Sequence, residues 1–515
     1  IMVASNSVET DSIFHKPVVQ TAGGADSTVT YLNGARYRVV RPYVGSLAAA
    51  STMSITSSTS GVTFNTRSVT LNSTTGLPTY VSDGFYTAYP AYNTEALESQ
   101  TYNPSIGVTR NSDYISIHAL DSTSFSPSAL NTAFGRKYYY DAAGRIGVDL
   151  NQGAGTERTF EYDSYGELAT VTDKSGCYAT GKNSNSGISS YCSTTTGTTS
   201  YTYDAAGNRT DLGATYYAGN RLALFNGGWY TYDADGNVSQ KYGVNPTPHN
   251  QQFYWNPENR LDSLKYDGYY NVTYKYNALG QPVLKYRQGT LDRALLWDGD
   301  ALLAEFNSSN QRIAEYLYNG IDQPYATVTG ATTASAIQYH EQDELGNVLG
   351  THTGTSVTES ISYDPWGMPT YSGTIDSRLM WKGLMWEGGP AQGDVVGLSY
   401  VRGRWYDPQA GRFIQEDPIG VDGGVNVYLY AGDDPVNGSD PSGMGPGDSD
   451  SICKFFGFGS ETFSNGTTVC MVPQQLPTIR VTATPDDPPF DDFWFGPHSS
   501  AASTSPSECL HPNLF

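Results

Sequence analysis

"YTYDAAGNRTDLG" occupies residues 201–213, and "YTYDADGNVSQKYG" repeats the same order of residue types at residues 230–243. The first two tyrosines of each copy are two positions apart, so on a β-strand both rings leave the same face. In the first copy, Asp204 and Gly207 hold the first and last positions that these residue types prefer in a type I turn. Each copy therefore predicts a strand, a tight turn and a return strand, which together form a hairpin.

Related phrases recur along the chain, some with Trp in place of the second Tyr. They are "YYYDAAGR" at Tyr138, "FEYDSYGE" at Phe160, "FYWNPENRL" at Phe253, "YKYNALGQ" at Tyr274, "LLWDGDALLAEF" at Leu295, "QDELGN" at Gln342 and "SYDPWG" at Ser362. The spacing is 22 residues from Asp141 to Asp163 and 21 from Asn256 to Asn277. A period of this length is typical of repeat arrays, whose units bury their apolar faces against their neighbours. Because a lone hairpin is only marginally stable, we expect one continuous β structure.

The composition agrees with a long β structure and excludes several functions. The chain of 515 residues has 40 tyrosines against 18 phenylalanines, and tyrosine favours strands whose rings pack while their hydroxyls reach a polar partner. A net charge of −22 repels phosphate backbones, so nucleic acid is not expected as a partner of this chain. No apolar run approaches the roughly 18 residues that a membrane span requires. The start at Ile1, before Met2, indicates a fragment of a longer protein.

The sequence carries no signature of a cofactor or a metal. The seven histidines lack a two-histidine metal spacing, and neither a Gly-x-Ser-x-Gly nor a Walker-type motif occurs. Cys177 and Cys192 flank a polar loop and could pair in an oxidising compartment, although the spacings favour free or opportunistically paired thiols. Cys453, Cys470 and Cys509 fit no zinc pattern.

The chain divides into four regions that differ in composition and in repeat content. Residues 1–130 are rich in Ser and Thr and are interpreted as degenerate β repeats. Residues 131–372 carry the clear repeats, and residues 373–444 include a dense run of Arg, Asp, Pro and Gly. Residues 445–515 form a variable, proline-rich tail that is expected to be largely disordered.

The repeats resemble the YD repeats of bacterial Rhs proteins, of the C components of insecticidal toxin complexes and of animal teneurins. "GLSYVRGRWYDPQAGRFIQEDPIG" at 397–420 and "NVYLYAGDDPVNGSDPSGM" at 426–444 resemble the Rhs-associated core that closes such arrays. The resemblance implies an all-β fold, in which a strip of YD-repeat hairpins spirals into a hollow shell. An inward-curling core would close this shell.

The resemblance also implies a function and its partners. Such chains cut themselves just after the core, and the shell retains the C-terminal segment, often a toxin, as cargo until delivery. The implied partners are this segment, an upstream or separate chain that completes the shell, and a secretion apparatus. The implied location is bacterial, secreted or associated with the cell surface.

By the same resemblance, Asp417 in "EDPIG" and Asp440 in "SDPSG" are the candidate catalytic pair of a single-turnover aspartic autoprotease. Two carboxyls held close together cannot both ionise easily, so one would act as base while the other keeps a proton. Arg404 would stabilise the developing charge. The expected cut is Met444-Gly445. The family usually has Leu before the cut, and Met suits a similar apolar pocket.

Other interpretations stay open. Asp-Pro-x-Gly is also an ordinary turn sequence, and Arg402 or Arg412 could take the place of Arg404. The repeat tyrosines could stack on sugar rings, although packing between hairpins explains them better. The alternative functions are a non-cleaving cell-surface protein that binds carbohydrate or a receptor, and an inactive fragment of a larger toxin.

Overall fold

The computed structural model describes residues 13–15, 25–32, 35–44, 47–50, 52–57, 67–71, 78–82, 87–92, 98–103, 106–114, 120–180, 190–243, 250–266, 270–320, 322–330, 337–372, 378–389, 394–444, 459–462 and 468–471. The chain divides into two compact units, of which the smaller comprises residues 448–513. Among the described residues, no helix is both long enough and apolar enough to cross a bilayer.

The first sheet is an antiparallel meander whose strands pair almost entirely in chain order. Its strands are Ile13–His15 (β1), Ala25–Leu32 (β2), Ala35–Val44 (β3), Leu47–Ala50 (β4), Thr52–Ser57 (β5), Arg67–Leu71 (β6), Pro78–Ser82 (β7), Thr87–Tyr92 (β8), Glu98–Asn103 (β9), Val108–Tyr114 (β10), Leu120–Ser126 (β11), Arg136–Tyr140 (β12), Ile146–Asn151 (β13), Thr156–Tyr162 (β14), Leu168–Ala179 (β15) and Ser190–Ser200 (β16). Strand β4 pairs with β3 beside this path, and the helix Ser128–Phe134 (α1) connects β11 to β12.

The second sheet continues the same meander, and every strand pairs with its neighbours in sequence. Its strands are Thr215–Tyr217 (β17), Arg221–Phe225 (β18), Gly228–Tyr232 (β19), Val238–Tyr242 (β20), Gln251–Trp255 (β21), Leu261–Tyr266 (β22), Tyr270–Tyr276 (β23), Pro282–Arg287 (β24), Thr290–Asp298 (β25), Ala301–Phe306 (β26), Arg312–Gly320 (β27), Gln323–Thr329 (β28), Ile337–Gln342 (β29), Val348–Thr353 (β30), Ser356–Tyr363 (β31) and Pro369–Ser372 (β32). The predicted all-β fold is thus confirmed.

In eight places the repeated aromatic residue joins its hairpin to the one before it. The second aromatic residue of a repeat donates a hydrogen bond to a backbone carbonyl at or next to the start of the preceding return strand. These bonds run from Tyr140 to Leu120 (2.6 Å), Tyr162 to Ile146 (2.7 Å), Tyr203 to Leu168 (2.8 Å), Trp255 to Val238 (2.8 Å), Tyr276 to Leu261 (2.8 Å), Trp297 to Pro282 (2.7 Å), Tyr318 to Leu302 (3.1 Å) and Tyr363 to Val348 (2.8 Å). Burial of the rings would be costly if their polar atoms lacked partners, and this bond supplies one.

The repeated Asp or Asn closes the turn of its own hairpin. In the second quoted copy, Asp233 Oδ1 accepts the backbone N–H groups of Asp235 (3.0 Å) and Asn237 (2.9 Å). Gly236 at the end of this turn has φ +83°, a conformation that residues with a side chain rarely adopt. Asn277 makes the same two bonds in its own turn, which explains why Asp and Asn alternate at this position.

The first quoted copy departs from the predicted hairpin. Between residues 201 and 213 only a single bridge forms, from Tyr203 to Arg209, and the 3₁₀ turn Asp211–Gly213 follows immediately. This segment lies between the last strand of the first sheet and the first strand of the second. The return arm therefore has too few residues to pair as a strand before the chain turns.

Residues 378–444 pack against strands from both sheets. They contain the four-stranded sheet Met385–Gly389 (β33), Asp394–Val401 (β34), Arg404–Asp407 (β35) and Arg412–Phe413 (β36), with 3₁₀ turns at Trp381–Gly383, Gly420–Gly423 and Ala431–Asp433. Asn437 contacts Tyr162 of the first sheet, and the rings of Trp405 and Tyr274 are 5.3 Å apart at the second. Because its partners come from both sheets, the sheets hold this segment between them.

Buried charges also fasten this segment to the second sheet. Glu387 binds Lys285 Nζ (2.5 Å) and Arg378 Nη1 (2.8 Å), and Arg378 Nε binds Glu305 (2.5 Å). Tyr316 donates its hydroxyl hydrogen to Glu305 (2.8 Å). All five residues are buried, so each charge depends on the others for its compensation.

A disulfide joins Cys177 and Cys192, which lie directly opposite each other on β15 and β16 with Cα atoms 4.0 Å apart. The sequence spacings favoured free or opportunistically paired thiols, because they do not reveal that the two strands are neighbours in this register.

The smaller unit contributes one described hairpin, Gly459–Thr462 (β37) and Thr468–Met471 (β38). The remaining residues of the tail 445–515, including Gly445 of the expected cleavage site, lie outside the described residues. The same holds for parts of residues 1–130.

Candidate active site

The site is built on the tight β34–β35 connection, against which the end of the core segment packs. A side chain at Gly403 would meet Met444 Cγ at 3.0 Å, and one at Gly443 would meet the carbonyl oxygen of Val401 at 2.1 Å. Gly443 also has φ +66°. Residues 443 and 444 can therefore lie directly on this connection only because both contact positions are glycine.

Arg404 joins the two predicted aspartates. Its Nη2 atom lies 2.9 Å from Asp417 Oδ2 and 3.2 Å from Asp440 Oδ2. All three side chains are buried, and the guanidinium carbon lies 3.6 Å from the centre of the Phe413 ring. The structure thus brings the three predicted residues together around a single guanidinium nitrogen.

Each aspartate uses its other oxygen to close its own turn. Asp417 Oδ1 accepts the backbone N–H of Ile419 (3.0 Å). Asp440 Oδ1 accepts the backbone N–H groups of Gly443 (2.9 Å) and Met444 (3.3 Å) and the hydroxyl hydrogen of Ser442 (3.1 Å). In each aspartate, therefore, Oδ1 closes the turn, as is usual for Asp-Pro-x-Gly, while Oδ2 contacts Arg404.

Burial sets the electrostatics of the site. It raises the pKa of Asp417, an effect that Arg404 and the Ile419 amide oppose and the charge of Asp440 reinforces. Burial also lowers the pKa of Arg404, while both aspartates counteract this effect. The surroundings of Asp417 therefore shift its pKa towards the protonated form.

The residue before the expected cut is held close to this pair. Arg404 Nε donates to the carbonyl oxygen of Gly443 (2.5 Å), and Asp440 binds the amide of Met444. Met444 N–H also lies 3.1 Å from Ser442 Oγ, so this serine contacts both the aspartate and the chain. Sequence reasoning missed Ser442, because a serine in a turn is too common to indicate a role.

Arg402 and Arg412, the alternatives to Arg404, have other partners. Arg402 Nη2 binds Asp322 (2.6 Å), and Arg412 Nη2 donates to the carbonyl oxygen of Asn220 (2.6 Å). Arg402 also donates to the carbonyl oxygen of Pro441, next to the second aspartate of the pair. Of these three arginines, Arg404 is the one whose ion pairs include both candidate aspartates.

Known proteins share the repeats of this chain. The family model for the teneurin YD-shell matches residues 181–436. A double-stranded DNA deaminase toxin A of Burkholderia cenocepacia (strain H111) is 30% identical over 282 residues, which cover 47% of this chain and 19% of the relative. Toxin protein Tse5 of Pseudomonas aeruginosa is 25% identical over 383 residues, covering 60% of this chain and 27% of the relative.

A further relative and a solved structure point the same way. The probable deoxyribonuclease RhsA of Dickeya dadantii is 25% identical over 321 residues, covering 60% of this chain and 21% of that protein. A crystal structure of TcdB2-TccC3-Cdc42 shares the fold, with a TM-score of 0.52, 15% identity, and coverage of 82% of this chain and 23% of that one. The chain thus spans no more than about a quarter of the length of these proteins. Repeats, sheet order and relatives agree, and the chain belongs to the Rhs/YD-repeat shell proteins.

Proposed function

We propose that this chain forms part of a bacterial toxin shell that encloses its own C-terminal segment and releases it by one intramolecular cut after Met444. The observation that carries the proposal is the double role of Asp440. Its Oδ2 atom pairs with Arg404, which also pairs with Asp417. Its Oδ1 atom accepts the amide hydrogen of Met444. Two buried carboxyls are therefore held beside the residue whose carbonyl would be attacked.

The proposed reaction follows from this arrangement. Asp440, as carboxylate, takes a proton from a water molecule whose oxygen adds to the carbonyl carbon of Met444. The charge that develops on the carbonyl oxygen is stabilised by the guanidinium of Arg404. Asp417, which we assign as the member of the pair that carries a proton, gives it to the departing nitrogen of Gly445. The C–N bond breaks and leaves a carboxyl group on Met444 and a new amino terminus at Gly445.

The experiment that tests this proposal is the intact mass of the purified chain under denaturing conditions. We expect two wild-type fragments that meet at Met444-Gly445, and a single whole chain for Asp417→Asn, Asp440→Asn and Arg404→Gln. Asp434→Asn is the matched control, because Asp434 belongs to another Asp-Pro turn of the same segment and bonds to Asn437. We expect this control to be cut like the wild type.

A folding measurement makes the negative outcomes informative. Urea unfolding of each whole variant shows whether the shell is intact. A folded wild-type chain that stays whole would refute self-cleavage and favour the non-cleaving interpretation. Cleavage that persists in folded Asp440→Asn would refute the assignment of the aspartates.

The partners and the location of the protein are also proposed, from the similar proteins. The tail 445–515 is the cargo, and a further segment or separate chain completes the shell, as the presence of TcdB2 together with TccC3 in the TcdB2-TccC3-Cdc42 crystal structure suggests. The toxin relatives support secretion or attachment to the surface of a bacterial cell. Limited proteolysis tests enclosure, because an enclosed tail resists a protease in the native shell and is digested once the shell unfolds.

A further inference from the structure

A second cluster of reactive side chains lies on the last three strands of the first sheet. Glu157 on β14 lies beside the disulfide between Cys177 on β15 and Cys192 on β16, and a carboxylate oxygen and the two sulfurs lie within 4.8 Å of one another. None of these residues belongs to the Arg404 site. Two sulfur atoms and a carboxylate oxygen are a ligand set that Zn²⁺ accepts.

The backbone brings these residues together through strand register and one glycine. Cys177 and Cys192 are paired directly across β15 and β16, and Glu157 is paired with Lys174 on β15. Gly176, beside Cys177, has φ +65°, and a side chain there would meet Ser193 Oγ at 2.1 Å. This left-handed residue interrupts the regular alternation of side chains along β15, so Cys177 can approach Glu157.

Glu157 has an unused oxygen at this point. The residue is 3% exposed, and its Oε1 atom accepts a hydrogen bond from Lys174 Nζ (2.9 Å). Its Oε2 atom has no hydrogen-bond partner among the described residues. Cys177 packs in an apolar cluster with Tyr139 and Val148, so the surroundings offer little solvation. A buried carboxylate oxygen without a partner is costly, and a bound cation would compensate for it.

We propose that reduction of the Cys177–Cys192 disulfide converts this cluster into a site for a thiophilic divalent cation such as Zn²⁺. Two equivalents of a small thiol such as glutathione supply the electrons, leave as their own disulfide and leave two cysteine thiols on the protein. The cation displaces the two thiol protons, binds both sulfurs and Glu157, and keeps a water molecule as its fourth ligand.

Charge and geometry both suit such an ion. Two thiolates, the Glu157 carboxylate and the Lys174 ammonium sum to two negative charges, which a divalent cation neutralises. Tetrahedral Zn–S bonds of about 2.3 Å place the two sulfurs about 3.8 Å apart. Reduction frees the two sulfurs to reach this separation by rotation of the cysteine side chains, whose Cα atoms lie 4.0 Å apart, and the Glu157 carboxylate oxygen already lies within 4.8 Å of both sulfurs. The strands can therefore keep their register while the side chains rotate.

The proposed site would keep an edge strand attached under two redox conditions. β16 is the last strand of the first sheet, and the disulfide fixes it to β15 in an oxidising compartment. In a reducing compartment the metal ion would replace this cross-link. This inference does not depend on self-cleavage.

The test uses Co²⁺ as a spectroscopic probe on the full chain. Cys453, Cys470 and Cys509 are first replaced by Ser, so that the thiols of Cys177 and Cys192 are the only ones present. We expect the reduced protein to bind one equivalent of Co²⁺ with the intense visible absorption of a tetrahedral thiolate site, and one equivalent of Zn²⁺ to remove this absorption. The oxidised protein should show no such absorption.

Two further variants identify the ligands. Cys192→Ser should abolish the tetrahedral absorption, and Glu157→Gln, which retains both cysteines, should weaken Co²⁺ binding by about tenfold or more. Glu161→Gln, an exposed position on the same strand, should bind like the parent. Reduced parent protein that remains folded by circular dichroism but shows no tetrahedral absorption would overturn the proposal. Unchanged Co²⁺ affinity in Glu157→Gln or Cys192→Ser would overturn it as well.

Discussion

Two buried aspartates of the core segment should respond in opposite directions to the same substitution. Asp433 is 2% exposed, and its Oδ2 atom has no hydrogen-bond partner among the described residues. Asp407 is also buried, but its Oδ2 atom lies 2.7 Å from Lys241 Nζ. Replacement by Asn removes a charge without changing the size of the side chain. It should therefore stabilise the fold at Asp433 and destabilise it at Asp407.

The sign of the effect at Asp433, and its dependence on pH, follow from the raised pKa of this carboxyl. Burial, reinforced by the charge of Glu167 and opposed by Arg412 and Arg209, raises this pKa well above the ordinary value of 3.8. A raised pKa contributes stability that is fully present below the unfolded pKa and is lost as the pH rises towards the folded pKa. In this window the wild type thus loses up to about 1.4 kcal/mol of stability for each pH unit. Relative to the wild type, Asp433→Asn should therefore gain more stability at pH 6 than at pH 4.

Asp407→Asn should instead lower the free energy of unfolding. The substitution leaves the buried ammonium of Lys241 without its counter-charge, which should cost about 3–5 kcal/mol at pH 6. The assay is urea unfolding at pH 4 and pH 6 at one ionic strength, in an Asp440→Asn background so that every chain is whole. A loss of stability in Asp433→Asn at pH 6, or an equal effect at both pH values, would refute the reasoning.

Three other substitutions or treatments test the framework of the fold. Glu387→Gln should lower the free energy of unfolding by about 3–5 kcal/mol, because it leaves two buried cations short of a counter-charge. Tyr276→Phe should cost about 1–3 kcal/mol, since the carbonyl oxygen of Leu261 loses its donor in a buried place. Reduction of the disulfide between Cys177 and Cys192 in metal-free buffer should cost about 3 kcal/mol, the value expected for a loop of this length.

Urea unfolding measures all three effects, and each has a matched control. Glu258→Gln and Tyr165→Phe change exposed positions of the repeats, so both should unfold like the wild type. Cys192→Ser should abolish the effect of the reductant on stability. A Tyr276→Phe chain as stable as Tyr165→Phe would show that Tyr276 contributes to stability through ring packing alone.

The sequence predicted the repeating part of the fold well because its signals are local. Tyrosines two positions apart and a turn beginning with Asp or Asn determine a hairpin within about ten residues, so no distant contact is needed. The segment 201–213 carries the same signals yet forms only a bridge. The segment forms no full hairpin because it lies between the two sheets, and no residue within it indicates that position.

The site was predicted in its members but not in its contacts. The resemblance singled out Asp417, Asp440 and Arg404, whereas the sharing of one guanidinium nitrogen depends on how the chain folds back over more than thirty residues. The cluster of Glu157 with the two cysteines escaped sequence analysis for a similar reason. The third potential ligand, Glu157, lies on a neighbouring strand, so no fixed spacing in the sequence predicts the cluster.

The hydrogen bond that joins consecutive hairpins has a consequence for the history of such chains. A repeat with the aromatic residue brings one donor for the hairpin before it and one carbonyl acceptor for the hairpin after it. Duplication or loss of one whole repeat in the gene therefore adds or removes a donor and an acceptor together, and every junction remains matched. An insertion of half a repeat would leave one of them unsatisfied inside the protein. We therefore expect chains of this kind to change in length by whole repeats more readily than by parts of a repeat.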